Sequence, residues 1–475
     1  MLKTFASFIC TVALIAPIAA GAAKAPSRFV QDPYPSTYTR VPFGPVLIRN
    51  ATVLTGTGER LDGADVLMRD GAIVGVGRGL EAPADATVVD GTGKWVTPGI
   101  IDVHSHLGVY ASPAVSAQSD GNEATSPTTP NVWAEHSIWP QDPGFLTALA
   151  GGITSLQILP GSANLIGGRG VTLKNVPSTT YQGMKFPGAP WGLKMACGEN
   201  PKRVYGQKGG PSTRMGNVAG YRAAFIDATE YIRKNRPAPP PEKKHWWSDE
   251  PKADSENATG GKRDLKMDTL AGAINGDIRV HIHCYRADEM ATMLDLAKEF
   301  GFKVAAFHHA VEAYKIADRL AAEGVCGAMW ADWWGFKMEA YDGIQENIAL
   351  VDRPQGSCAI VHSDSEEGIQ RLNQEAAKVM AHAKLAGMDI APEHAILWLT
   401  KNPAKALGIL DKTGTLEAGK MADVVVWNGT PFSSYAHAEQ VYIDGARVYD
   451  RKDPSRQPVS DFMLGQGAAP TGGVR

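Results

Sequence analysis

The sequence predicts an α/β protein: a (β/α)8 barrel of the TIM type, joined to a small β-sandwich built from both ends of the chain. Three observations carry this reading. The middle of the chain alternates strand-like runs with helical patterns. Two distant stretches, 46–97 and 415–450, share a texture of short strands and tight turns. Histidines and aspartates recur at the ends of apolar runs, where barrels of this kind hold their chemistry.

A length of 475 residues suits one large barrel plus a smaller module. The net charge of −3 shows no basic footprint for nucleic acid. A composition of 44% hydrophobic and 20% charged residues is that of an ordinary globular chain, so the 51 glycines and 31 prolines mark turns rather than disorder. At the N-terminus, Met1-Leu2-Lys3 precedes the apolar "FASFICTVALIAPIAA" and the small residues of "AAGAAKA". Residues 1–23 read as a secretory signal cut at about residues 22–25. The apolar stretch is short for an anchor, and Pro17 interrupts it. The remaining chain is expected to be exported, to a periplasm, and free of the membrane.

Residues 24–98 and 405–450 read as the two parts of the sandwich, with hairpin signals at Asp70-Gly71 and Asp444-Gly445. Residues 99–404 read as the barrel. Its strands are "GIIDVH", "GITSLQIL", "WGLKMA", "RVHIH", "KVAAFHH", "GVCGAMW" and "CAIVHSD", separated by helical patterns such as "DEMATMLDLAKEF". "GSANLIGGRGVTLK" reads as a tight backbone turn near the barrel mouth, without the lysine and Ser/Thr placement of a phosphate loop. The Pro- and charge-rich stretch 235–263, with His245, reads as an exposed loop, and 451–475 as a loose tail. Apart from Cys10 in the signal, the cysteines are Cys197, Cys284, Cys326 and Cys358. Four allow three pairings, and spacing selects none. Each lies in or beside an apolar run, as buried free cysteines do. No Cys-x-x-Cys occurs, which argues against a thiolate metal site.

The run Pro98-Gly99-Ile100-Ile101-Asp102-Val103-His104-Ser105-His106 places two histidines at i and i+2 at a strand end, hence on one face. Two convergent imidazoles are half of a divalent metal site. "VTPGIIDVHSHLG" resembles the opening strand of the amidohydrolase superfamily of metal-dependent hydrolases. "TGTLEAGKMADVVVWNG" (Thr413–Gly429) resembles that superfamily's closing segment. "HIHCYRADEM", "FHHAVEAYKIADRL" and "VHSDS" fall between them in the family's order. The resemblance covers roughly residues 46–450 and is nearest the imidazolonepropionase-like and Xaa-dipeptidase-like branch, with "PGSANLIGGRGVTLKN" and "LKMACGENPKRVYG" marking a subgroup.

The resemblance implies metal ligands at His104, His106, His283 and His309, and a metal-bound, proton-shuttling aspartate at Asp364 as the catalytic base. Two-metal members carry a carboxylated lysine at the end of the fourth strand. Lys194 falls there, in an apolar strand where a free ammonium is costly. The alternative is Glu199 as the bridging carboxylate. Two Zn²⁺ ions suit this donor set best, with Mn²⁺, Co²⁺ or Fe²⁺ as other fits. His281, His308 and His362 are expected beside the ligands rather than among them, His308 facing away from the barrel interior. His136, His382, His394 and His437 read as structural or exposed.

Deaminases and imidazolonepropionases of this superfamily carry a glutamate three residues after the fifth-strand histidine. Here that position is Arg286. The missing acid argues against deamination and against imidazolone ring opening, which leaves cleavage of an amide or peptide-like bond as the reading. Arg286, Arg203 and Tyr205 are candidates to bind a substrate carboxylate, with a structural pair to Asp288 or Glu289 as the other reading of Arg286. Trp330, Trp333 and Trp334 are candidates to wall the pocket. The implied substrate is a small molecule, a dipeptide or N-acyl amino acid. The other readings are a cyclic amide or lactone hydrolase, and a metal-binding barrel without catalysis that binds a ligand. Homo-oligomer formation is left open.

Overall fold

A computed structural model describes residues 29–112, 114–235 and 262–456. The expected signal segment, most of the expected 235–263 loop with His245, and most of the expected tail therefore lie outside the described residues. Among the described residues, sixteen strands fall into two eight-stranded sheets.

The first sheet takes strands from both flanks of the barrel. These are β1 (Val46–Leu54), β2 (Arg60–Arg69), β3 (Ala72–Gly77), β4 (Thr87–Asp90) and β5 (Trp95–Pro98), then, after the barrel's strands β6–β13, β14 (Val424–Trp427), β15 (Ala438–Ile443) and β16 (Ala446–Asp450). The order is β16-β15-β14-β5-β1-β2-β3, with β4 beside β1. The two flanks meet where β5 pairs antiparallel with β14, Val96 opposite Val426. Hydrogen bonding joins them into one continuous sheet, and Ile73 N–H of β3 also donates to Lys420 O on the segment leading into β14 (2.8 Å). Val46, Ile48, Val53, Val66, Val96, Val424 and Val426 form its apolar core.

The second sheet is the barrel: β6 (Ile100–Ser105), β7 (Ile153–Ile158), β8 (Ile166–Lys174), β9 (Gly192–Ala196), β10 (Arg279–Cys284), β11 (Val304–His309), β12 (Cys326–Met329) and β13 (Ala359–Val361), neighbours in chain order. The ring is brought together between its first and last strands by Asp364 N–H donating to His104 O (3.1 Å) and Ser363 Oγ donating to Asp102 (2.5 Å). One strand departs from the expected pattern. β8 runs antiparallel to both β7 and β9, so β7 and β8 form a hairpin with no helix between them. From sequence this stretch reads as a turn, because Gly167, Gly168 and Gly170 mask its strand pattern. The glycines are there for space: Gly168 has φ +115°, and a Cβ on it would stand 2.3 Å from Val132 O.

Alternation then sorts the side chains. On β6, Ile101 and Val103 pack outward in a cluster with Ala404 and Leu407 of the Lys401–Leu407 helix, while Asp102 and His104 take the other face. The Ala287–Phe300 helix buries Met290, Met293, Leu294 and Ala297 on one stripe and stops at Gly301, φ +79°. Two disulfides close on neighbouring strands, Cys197–Cys284 and Cys326–Cys358. This replaces the free-cysteine reading, since parallel neighbours brought the pairs together across 87 and 32 residues of sequence.

Barrel and first sheet are joined by a buried ionic knot. Lys174, at the end of β8, lies 2.9 Å from Asp444 and 3.4 Å from Asp423. Tyr38 donates to Asp444 (2.5 Å) and Thr413 to Asp423 (2.7 Å).

Candidate metal and active site

The histidines and aspartates expected at strand ends gather at one mouth of the barrel. Asp364 Oδ1 lies 3.3 Å from His104 Nε2 and 3.2 Å from His106 Nε2, and those two nitrogens are 3.3 Å apart. His104, His309 and His362 form a second trio whose donor atoms lie within 4.8 Å of one another. Lys194 Nζ stands 3.3 Å from His104 Nε2. The His283 ring is 4.6 Å from that of His309, which is 4.9 Å from that of His104. His309 and Asp364 both adopt positive φ (+66° and +57°), a strained turn at the strand ends that aims their side chains into the cluster. Glu199 is elsewhere, 3.9 Å from Lys337, so of the two candidates for a bridging ligand it is Lys194 that lies against His104.

His308 differs from expectation. It is the register partner of His283 on the adjacent parallel strand and so shares that inner face. The left-handed turn at His309 lets the following side chain face the site as well. His308 Nδ1 contacts His104 Nδ1 (2.9 Å) and its Nε2 contacts His281 Nδ1 (2.9 Å), while His281 Nε2 faces the Gln157 amide (3.5 Å). His362 lies nearer the cluster than expected, its ring stacked on that of His104 at 5.1 Å and its Nε2 accepting from His309 N–H (3.3 Å).

Burial sets the protonation. It pushes His104, His283, His308 and His309 well below the usual imidazole value, and His281 and His362 to about 3. The rings are therefore neutral, with one proton each. His106 Nδ1–H donates to the Leu159 carbonyl (2.8 Å), which turns its Nε2 toward Asp364. One orientation of the buried chain frees His104 Nε2 in the same way: His104 donates to His308 and His308 to His281, whose remaining N–H faces the Gln157 side-chain amide. Burial also lowers Lys194 to about 8 and raises Asp102 to about 7. Asp102 accepts from Ser363 Oγ, Ser363 N–H and His104 N–H, which ties β6 to the segment carrying Asp364.

The surrounding wall is aromatic. The Trp330 ring lies 4.2 Å from that of His309 and its Nε1 donates to Ser363 O (3.2 Å). Trp334 joins Trp330 and Tyr285 in one apolar cluster, whereas Trp333 is 38% exposed. Tyr285, two residues beyond His283, packs its ring 4.8 Å from that imidazole. It is absent from the residues expected at the site, although the period of two along β10 points to it. A cavity of about 310 Å³ lined by His106, Tyr110, Val115, Gln118, Asp364 and Glu366 opens beside the cluster. Of the candidates for carboxylate binding, Arg286 forks onto both oxygens of Asp288 (2.9 Å each), Arg203 is exposed, and Tyr205 is buried beside Asn164 and Glu123.

An amidohydrolase from Thermotoga maritima matches this structure with a TM-score of 0.75 and 37% identity, over 86% of this chain and all of that one. The chain belongs to the amidohydrolase family. A family model described as "Amidohydrolase family" matches residues 355–452 of this amidohydrolase. Amidohydrolase tasK of Hapsidospora irregularis is 34% identical over 446 residues, 86% of this chain but 43% of that protein, so the chain spans less than half of that relative. An imidazolonepropionase of Mesorhizobium japonicum is 26% identical over 80% of this chain and 91% of its own length.

Proposed function

We propose that this amidohydrolase cleaves the C–N bond of a dipeptide or N-acyl amino acid with the help of divalent cations, two Zn²⁺ per chain. The observation that carries the reading is the Asp364 carboxylate set between His104 and His106 with Lys194 beside them. The donor set fits such cations: the imidazoles of His104, His283 and His309 are neutral and buried, Asp364 supplies a carboxylate, and Nδ1 of His283 and His309 has no hydrogen-bond partner among the described residues. His104, His106, His283, His309, Asp364 and Lys194 would hold them. Bound there, they supply Lewis acidity and a water acidified toward neutrality.

The protein's own groups do the rest. Asp364 accepts a proton from the attacking water and returns it to the leaving nitrogen. Lys194, with its ammonium already weakened by burial, is suited to add carbon dioxide as the neutral amine, losing a proton and becoming a carboxylate ligand. Asp102 and the His308–His281 chain orient His104. Position 286 offers no acid to protonate a ring nitrogen, because a guanidinium keeps its protons at working pH and this one is paired with Asp288. The charge of Arg203 acts on Tyr285 and Lys337, and this local positive potential favours a substrate with a free carboxylate. Export is supported by the two disulfides, which persist in oxidising compartments. The test is a library of dipeptides, N-acyl amino acids, cyclic amides and lactones, assayed with metal-loaded and chelator-stripped protein alongside elemental analysis. Hydrolysis of acyl amino acids that chelator abolishes is the expected result. Hydrolysis unaffected by metal removal, or confined to the cyclic substrates, refutes the proposal.

A further inference from the structure

Resting on the amide-hydrolase reading above, we propose that Lys337 grips the free carboxylate of the substrate, so that the site selects acyl amino acids and dipeptides over neutral analogues. Lys337 lies on the segment after β12, and that segment is pinned. Glu339, two residues on, accepts from Glu199 N–H (3.0 Å) and from Arg214 (2.5 Å). Its carboxylate approaches so closely that a Cβ on Gly198 would stand 2.3 Å from Glu339 Oε1.

Held there, the Lys337 side chain is only 14% exposed. Its ammonium donates to Asn200 Oδ1 (2.8 Å), lies 4.9 Å above the Tyr285 ring, and stands 3.9 Å from Glu199, at the outer limit of an ion pair. An ammonium has three N–H donors, so one neutral acceptor and one long ion pair leave a withdrawn cation under-satisfied. Burial accordingly lowers its pKa.

The position fits the chemistry. Asn200 places its amide nitrogen 3.4 Å from His283 Nε2, and Tyr285 packs on the same imidazole. Lys337 is thus one side chain away from the histidine cluster. In an acyl amino acid the carboxylate is attached to the carbon that bears the amide nitrogen. A carbonyl held at the cluster therefore brings that carboxylate to a group about this far away. The acyl half then has room in the cavity beside His106 and Asp364, lined by Tyr110, Val115 and Gln118.

The test reads binding without turnover. Free L-amino acids and the matching L-amino alcohols, which lack the carboxylate, are titrated calorimetrically into the zinc-loaded full chain. The wild type should bind the acids about 10- to 100-fold more tightly, the scale of a charge-assisted hydrogen bond. Lys337→Met should erase that ratio and Lys337→Arg should keep most of it, with melting temperature recorded for both. A wild type without the preference, or a Lys337→Met protein that retains it, overturns the proposal. A wild type that shows the ratio but hydrolyses no acyl amino acid keeps the carboxylate site and overturns the hydrolase reading instead.

Discussion

Replacing Lys174 with methionine removes the cation from the knot that joins the barrel to the first sheet. Lys174 has no exposed surface, and the side chains of Asp423 and Asp444 are 1% and 7% exposed. Methionine fills a similar volume, so the effect is electrostatic: two carboxylates are left facing each other out of water. Breaking a buried pair in this way costs about 3–5 kcal/mol. Unfolding entropy for a chain of this length is roughly 1 kcal/mol per degree, so the melting temperature should fall by about 3–5 °C at neutral pH. The pH dependence has a definite sign. Burial and Asp423 already hold the Asp444 carboxyl above its usual value. Losing Lys174 raises it further, so the mutant folded state retains a proton that the unfolded state has released. The penalty is therefore full at neutral pH and fades as pH falls toward the unfolded value of about 4. Scanning calorimetry of both proteins at pH 7.5 and pH 4.5 checks this, since groups common to the two cancel in the difference. Equal melting temperatures at pH 7.5, or a gap that widens on acidification, would refute the reasoning. Adding Asp444→Asn to Lys174→Met should recover part of the loss.

Asp364→Asn should keep the fold and lower turnover by about 10²–10⁴-fold, because an amide cannot take the water's proton; steady-state kinetics of the metal-loaded mutant reads this. His308→Leu removes the buried partner of His104 Nδ1 and should weaken metal binding by about 10- to 100-fold, measured by competition with a chromogenic chelator. Removing both Cys326 and Cys358 by substitution with alanine should cost about 3–4 kcal/mol in denaturant titrations, from the loop entropy of a 32-residue separation. An effect under about 1 kcal/mol would mean that the bond adds little constraint to the unfolded chain.

Much of the site is legible in the residue pattern alone. His104 and His106 share a face because a strand repeats every two residues, and no other part of the fold is needed to see it. Alternating strands and helices indicate a barrel because each apolar strand needs a covering layer. The mismatches come from contacts that span long stretches of sequence. β8 escapes a pattern reading because its glycines carry no side-chain signal, and their necessity appears only once Val132 O is known to lie above Gly168. His308 is assigned to the wrong face when strand alternation is carried through His309, where a positive φ breaks it. Lys337 belongs to no motif, and its significance arises from its contacts with Tyr285 just past β10 and Asn200 of the Glu199–Tyr205 helix, both distant in sequence, beside its neighbour Phe336.

Local periodicity and residue identity are enough to place particular residue types at strand ends and to reveal the family order they follow, because neither depends on distant parts of the chain. Folding in three dimensions sets the rest: which cysteines pair, which of Lys194 and Glu199 lies at the cluster, which arginine is already occupied, and how the two flanks of the barrel join. Those outcomes depend on distances between segments far apart in the chain, and on how much water each charge loses when the segments meet.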